Sequence, residues 1–395
     1  MERKPAILEG DAAFPDGLAL MRPVAPSAEE LAPFLGEMEE SGYLSNFGPI
    51  AERYEAELAK QLEVKHCLAL SNLSTGLMYM PTAAGLDGGE VIIPSFTFPA
   101  TAHSMQLGGL TPVFADIDPA TLCIDPASVE AAITEHTVAV CGVHIYGTPC
   151  DIETLESICA KHRLALFFDS AHALGSHYKG KPVGCGGIAE GFSTSVTKIF
   201  TTLGEGGFLA TDDDDFAENI RMARNWGHPG DYNARFASIV SKLPEISAAA
   251  GLLALPRLGE FVARRNELVH LAKSALSAIP GISFPILPED CRSGFKDFAM
   301  IVNSAEFGLD RDGLANALKS ENIETRPYYD PPVHTMDAYK GLNHRVPLKV
   351  TEKVAKQVLC LPLYNQMHDD DMQLLCETIA AIHHHAPSIF KKLQN

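Results

Sequence analysis

The chain has 395 residues, 46% of them hydrophobic and 21% charged, which is enough apolar mass for a globular protein of about two domains. Its formal charge of −19 argues against nucleic acid or an anionic membrane surface as the main partner, since both require a basic face. Nine scattered cysteines without CxxC spacing, a polar N-terminus and the lack of an uninterrupted apolar run of membrane-span length lead us to expect a reducing, cytoplasmic setting.

The proline-rich start gives way to SAEELAPFLGEMEESG, which reads as a helix. From there the pattern alternates. AERYEAELAKQLEV predicts a helix and HCLALS a short buried strand. The next pairs are STGLMYMPTAAGL with EVIIPSF, FPATAHSMQLGG with TPVFADI, DPASVEAAIT with TVAVCGVHI, and DIETLESICAKHR with LALFFDS. Short apolar strands separated by helices of this length predict an α/β fold with a mostly parallel sheet, whose ligands gather at the carboxyl ends of the strands. GFLAT adds a further strand. Beyond it, PEISAAAGLLALPRLGEFVARRNELVHLAKSALSAI predicts a long helix broken near Pro256. FKDFAMIVNS then reads as a strand, and RDGLANALKSENI and DDMQLLCETIAAIHHH as helices. The expected division is residues 1–255 for an N-terminal segment and large domain, and 256–395 for a linking helix and a smaller α+β domain.

Two residues stand out chemically. Asp169 ends a buried strand in LALFFDSAHALGS, as a turn or helix-cap carboxylate or as the partner of a protonated ring nitrogen. Lys198, in FSTSVTKIFTTLGEGG, is a solvated lysine, a phosphate ligand or a covalent nucleophile. Both lie at loop ends of the same sheet, with Ser193 shortly before the lysine. Together they suit pyridoxal phosphate: an amine for its aldehyde, a carboxylate for its pyridine nitrogen, and hydroxyls with a helix N-terminus for its phosphate. ALSNLSTGL supplies that last element, a strand end followed by a helix start. His383–His385 point in different directions on a helix, so no metal site is expected.

These segments, together with YLSNFGPIAERYEAELAK, VHIYGTPCD, RNWGHPGDY, PEISAAAGL, TRPYYDPPVH and VLCLPLY in their order, resemble the DegT/DnrJ/EryC1/StrS family of sugar aminotransferases. The resemblance implies a fold-type I pyridoxal-phosphate enzyme and a set of residue roles. Lys198 is then the covalent cofactor lysine and Asp169 the pyridinium partner. Ser193 is a phosphate ligand and Phe98 the aromatic against the pyridine ring. His172 stands near the ring hydroxyl, and Leu73 and Ser74 fall in the phosphate loop, where relatives carry Gly-Thr or Ala-Thr. Val240 takes the place of an asparagine that reaches the neighbouring subunit's phosphate, and Ile188 that of an aspartate. A weaker hold on the cofactor is therefore expected, with Leu73 adding bulk to a tight loop.

The motifs SNFGP, DSAHALG and YYDPPVH look most like enzymes that aminate C4 of a dTDP-4-keto-6-deoxyhexose. The partners so implied are a nucleotide-linked ketosugar, glutamate as amino donor, and a second copy of the chain in a homodimer with shared active sites. The alternatives are a 3-keto sugar or cyclitol aminotransferase, or a regulatory protein that binds the cofactor without turnover.

Overall fold

The computed structural model describes residues 3–342 and 344–394. Its centre is a sheet of seven strands: β1 His66–Leu70, β2 Glu90–Pro94, β3 Thr111–Ala115, β4 Thr137–Val143, β5 Ala165–Asp169, β6 Ala189–Ser193 and β7 Gly207–Thr211. Their order across the sheet is β1-β7-β6-β5-β4-β2-β3. All neighbours pair in parallel except β7, which runs antiparallel to both β1 and β6. Both faces are covered by apolar side chains, Ile92, Val140 and Phe168 in one cluster and Leu68, Ile93, Phe167 and Leu209 in another. Burial on both faces is why these strands read as continuous apolar runs.

β6 is the exception, because its sequence AEGFS holds a glutamate and a glycine and gave no strand signal. Glu190 is fully buried, yet its carboxylate accepts from Ser170 Oγ at 2.6 Å, Gly186 N at 2.8 Å and Gly184 N at 2.9 Å. Three donors offset the cost of burying the charge, so a charged residue occupies a central strand.

The expected long helix divides at Pro256 into Glu245–Ala254, a 3-10 turn Leu255–Arg257, and Leu258–Leu276. By length and composition the whole stretch could cross a membrane, but Ala248, Ala249, Leu258, Phe261, Val262 and Leu268 are packed in the protein core. Its second half carries a three-stranded antiparallel sheet of Ile282–Ser283, Phe298–Val302 and Val358–Leu361, with helices Arg311–Ser320 and Asp369–His384 packed against it. The start of the chain packs here as well. Phe14 and Leu18 join that core, and Arg3 pairs with the buried Glu321.

Candidate active site

The carboxyl ends of β1, β2, β5 and β6 lie at one edge, and β7, antiparallel between β1 and β6, begins there. The turns leaving these ends surround a cavity of about 380 Å³. Leu73, Ser74, Phe98, Asp169, His172, Ser193 and Lys198 all line it.

After β1 the chain turns directly into the helix Leu73–Ala83. Asn72 caps it, its Oδ1 accepting from Thr75 N at 2.9 Å. The first N–H groups of a helix have no intrahelical acceptor, so those of Leu73 and Ser74 remain available at the cavity. Leu73 does not crowd this loop as expected. Its side chain is 6% exposed and packs into the sheet core. Room for it comes from two glycines: a Cβ on Gly191 would lie 2.6 Å from Leu73 Cδ1, and one on Gly207 2.7 Å from Leu73 N. Ser193 closes β6 with its hydroxyl 3.3 Å from Ser195 Oγ.

Asp169 is buried and accepts from Thr101 Oγ1 at 2.7 Å and Ala171 N at 3.1 Å. Burial raises its pKa above the usual carboxylate value, against the pull of these two donors and of Lys198. Lys198 is half-buried, and among the described residues its amine has no hydrogen-bond partner. Desolvation and then the charge of Lys296 push it down to about 8, opposed by Asp297 and Asp169. About a tenth of it is therefore neutral at pH 7, far more than of an ordinary lysine, as a nucleophile or base requires.

Phe98 is 56% exposed, so it is not a core aromatic. It presents its ring to the cavity, 6.1 Å from the ring of Tyr329. His172 is buried with both nitrogens engaged. Nδ1 accepts from Tyr146 N at 3.3 Å, and Nε2 lies 3.3 Å from the Tyr329 hydroxyl. Desolvation and the nearby lysines hold its pKa well below the ordinary value, so the ring is neutral.

Thr101, Glu205, Lys296, Tyr328 and Tyr329 escaped the sequence reading. The last three arrive at the cavity from the C-terminal layer, far away in sequence. Lys296 pairs with Asp297 at 2.7 Å; both fall inside the predicted strand FKDFAMIVNS and the two tyrosines inside the motif YYDPPVH, where nothing local gave any of them a role. Val240 is 44% exposed and does not line this cavity. Its neighbour Ser241 is buried, and its Oγ meets Ser71 Oγ at 2.9 Å and Thr75 Oγ1 at 2.5 Å, tying this segment to the loop that starts the Leu73 helix.

A free amine and a buried carboxylate at the carboxyl edge of such a sheet, below a helix N-terminus, define an enzyme that works on a bound carbonyl cofactor. The family profile of the DegT/DnrJ/EryC1/StrS aminotransferases matches residues 27–380, and the chain belongs to that family. It is 35% identical over 361 residues to the dTDP-4-amino-4,6-dideoxy-D-glucose transaminase of Shigella dysenteriae, covering 91% of this chain and 98% of that one. It is 32% identical over 338 residues to the dTDP-3-amino-3,4,6-trideoxy-alpha-D-glucose transaminase of Streptomyces venezuelae, covering 85% and 87%. Among crystal structures, DesI in the presence of its TDP-sugar product superposes with a TM-score of 0.94 at 35% identity, covering 99% of both chains.

The protein is thus a pyridoxal-phosphate-dependent aminotransferase of fold-type I. The residues present fit that cofactor. Among the described residues Asp169 is a buried carboxylate lacking an ion-pair partner, Lys198 an amine without a hydrogen bond, and Leu73 and Ser74 offer unused N–H groups.

Proposed function

We propose that this enzyme transfers an amino group from glutamate to the C4 keto group of a nucleotide-linked 4-keto-6-deoxyhexose. The observation that carries the reading is the unbonded amine of Lys198 facing the Asp169 cavity, in a chain that matches DesI over nearly its whole length. Bound pyridoxal phosphate supplies the electron sink for the carbanion formed as the amino-bearing carbon loses its proton.

The chain does the rest. With the cofactor bound, Leu73 N, Ser74 and Ser193 Oγ would hold its phosphate, Phe98 would lie against its ring, and Asp169 would keep a proton on the ring nitrogen. Lys198 Nζ would hold the cofactor through its aldehyde carbon and, once displaced by the donor amine, would move the proton from the donor α-carbon to that former aldehyde carbon; with the ketosugar bound it would move a proton the opposite way, leaving the amine on the sugar.

Nucleotide ketosugars incubated with glutamate test this by product mass and proton NMR. A new amine at C4 is the expected result, and failure of every 4-keto sugar to react overturns the reading. Amination at C3 is the second reading, favoured by the Streptomyces venezuelae relative, and the same spectra distinguish it.

The enzyme further acts as a cytoplasmic homodimer with shared sites. In support, no cysteine is disulfide-bonded. Trp226, Tyr232, Ile239 and Val240 expose large apolar side chains, and Lys242 links Phe47 and Trp226 beside them. Sedimentation of a fully active monomer would rule the dimer out.

A further inference from the structure

Two lysines line the cavity, and no arginine among the described residues does. Lys198 is committed to the chemistry, which leaves Lys296 as the free cation. It enters from the turn before the strand Phe298–Val302, and its side chain is only 9% exposed. One of its three N–H groups goes to Asp297 Oδ1 at 2.7 Å, and its Nζ stands 5.4 Å from the centre of the Tyr328 ring. The Asp297 carboxylate is shared, because the buried Arg265 lies within its field as well. His172, on the other side of Asp297 at 3.7 Å, is neutral. Among the described residues the second oxygen of Asp297 is buried without a hydrogen-bond partner, and its first oxygen takes one N–H of Lys296, which positions that ammonium without saturating it.

We infer that Lys296 is the residue that binds a carboxylate of the amino donor. This rests on the aminotransferase reading above and names what that reading left open. Reach favours a carboxylate over the sugar nucleotide's diphosphate. The α-carboxylate is attached to the carbon whose amine must arrive beside Lys198. The diphosphate is joined at C1, across the sugar ring from the reacting C4. A cation buried in the same wall as the reacting amine meets the first of these anions. The ammonium donates to the carboxylate oxygens and fixes the donor carbon so that its proton points at Lys198 Nζ, which makes Lys296 a specificity residue for amino acids over simple amines.

The test uses cofactor-loaded enzyme and two readouts. The first is calorimetric binding of glutarate, a dicarboxylate that cannot react. Lys296→Met is expected to weaken it at least tenfold, and Lys296→Arg to hold it within about threefold. The second compares glutamate with its α-carboxamide by the rate of cofactor bleaching. The wild type should discriminate against the amide by tenfold or more in kcat/KM, and Lys296→Met should lose most of that discrimination while its KM for the ketosugar stays within about threefold. Three results overturn the inference: wild type that treats acid and amide alike, Lys296→Met that binds glutarate normally, or Lys296→Met whose defect falls on the ketosugar. The wild-type arm does not depend on how the variants fold. Failure of the wild type to take up pyridoxal phosphate would defeat the aminotransferase reading itself, and this inference with it.

Discussion

The amine of Lys198 is expected to titrate with a midpoint at about 8. Covalent uptake of pyridoxal phosphate by cofactor-free protein should therefore rise with pH and level off above that point, whereas an ordinary lysine would keep rising toward about 10.4. After burial, the charge of Lys296 is what most penalises the ammonium. Lys296→Met should move the midpoint up and Lys296→Arg should leave it in place, and an unmoved midpoint in the Met variant would refute this account. The unfolded lysine keeps its proton to higher pH than the folded one, so the cofactor-free protein gains stability as pH rises from about 8 toward about 10.4. Asp169→Asn keeps the size of the side chain and an acceptor for Thr101 but removes the charge. The donor half-reaction should slow by about a hundredfold or more, while borohydride reduction still traps the cofactor on Lys198. Undiminished single-turnover rates would show that another group protonates the ring nitrogen.

At the scale of elements, the helix Leu73–Ala83 and strands β6 and β7 fit together through glycines. A Cβ on Gly207 would stand 2.7 Å from both Leu73 N and Phe192 O, backbone atoms that cannot rotate away. Gly207→Ala should cost about 1–3 kcal/mol in thermal unfolding and also weaken cofactor binding, because it displaces the N–H that begins the helix. Gly36→Ala is the control. It lies in an exposed helix with nothing within 4 Å of the new Cβ, and it should stabilise by about 0.5–1 kcal/mol.

This fit also explains what the sequence concealed. Leu73 read as bulk in a phosphate loop because the glycines that accommodate it come much later in the chain. β1 to β5 and β7 were legible as apolar runs. β6 was not, since Glu190 is made compatible with burial only by donors from Ser170, Gly184 and Gly186. Asp169 and Lys198 stood out because each ends a local pattern. Lys296, Tyr328 and Tyr329 belong to the C-terminal layer, and only the closing of that layer on the sheet brings them to the cavity.

Across the whole molecule, the two layers meet at a brace. Arg265, buried in the helix Leu258–Leu276, donates to Phe295 O at 2.8 Å, Lys296 O at 3.1 Å and Asn365 Oδ1 at 2.6 Å. Asn365 in turn donates to Ile199 O, next to Lys198, at 2.8 Å. Asn365→Ala removes both of its contacts and leaves the Arg265 Nε and the Ile199 carbonyl short of a partner. A loss of about 1–3 kcal/mol in thermal unfolding is expected, together with an upward drift of the Lys198 midpoint, read by the same pH series of cofactor uptake. Wild-type values for both would mean that the brace is ornamental.

That brace has a mechanical meaning. The amine that does the chemistry rides on the sheet, while part of the cover that dries it and the cation beside it ride on the other layer, so the two work as an interlock. With the layers shut, the lysine gives up its proton at about 8. With the C-terminal layer loosened or cut away, the same lysine would remain on its own turn, correctly placed, but wetter and with its midpoint moved back toward the ordinary value.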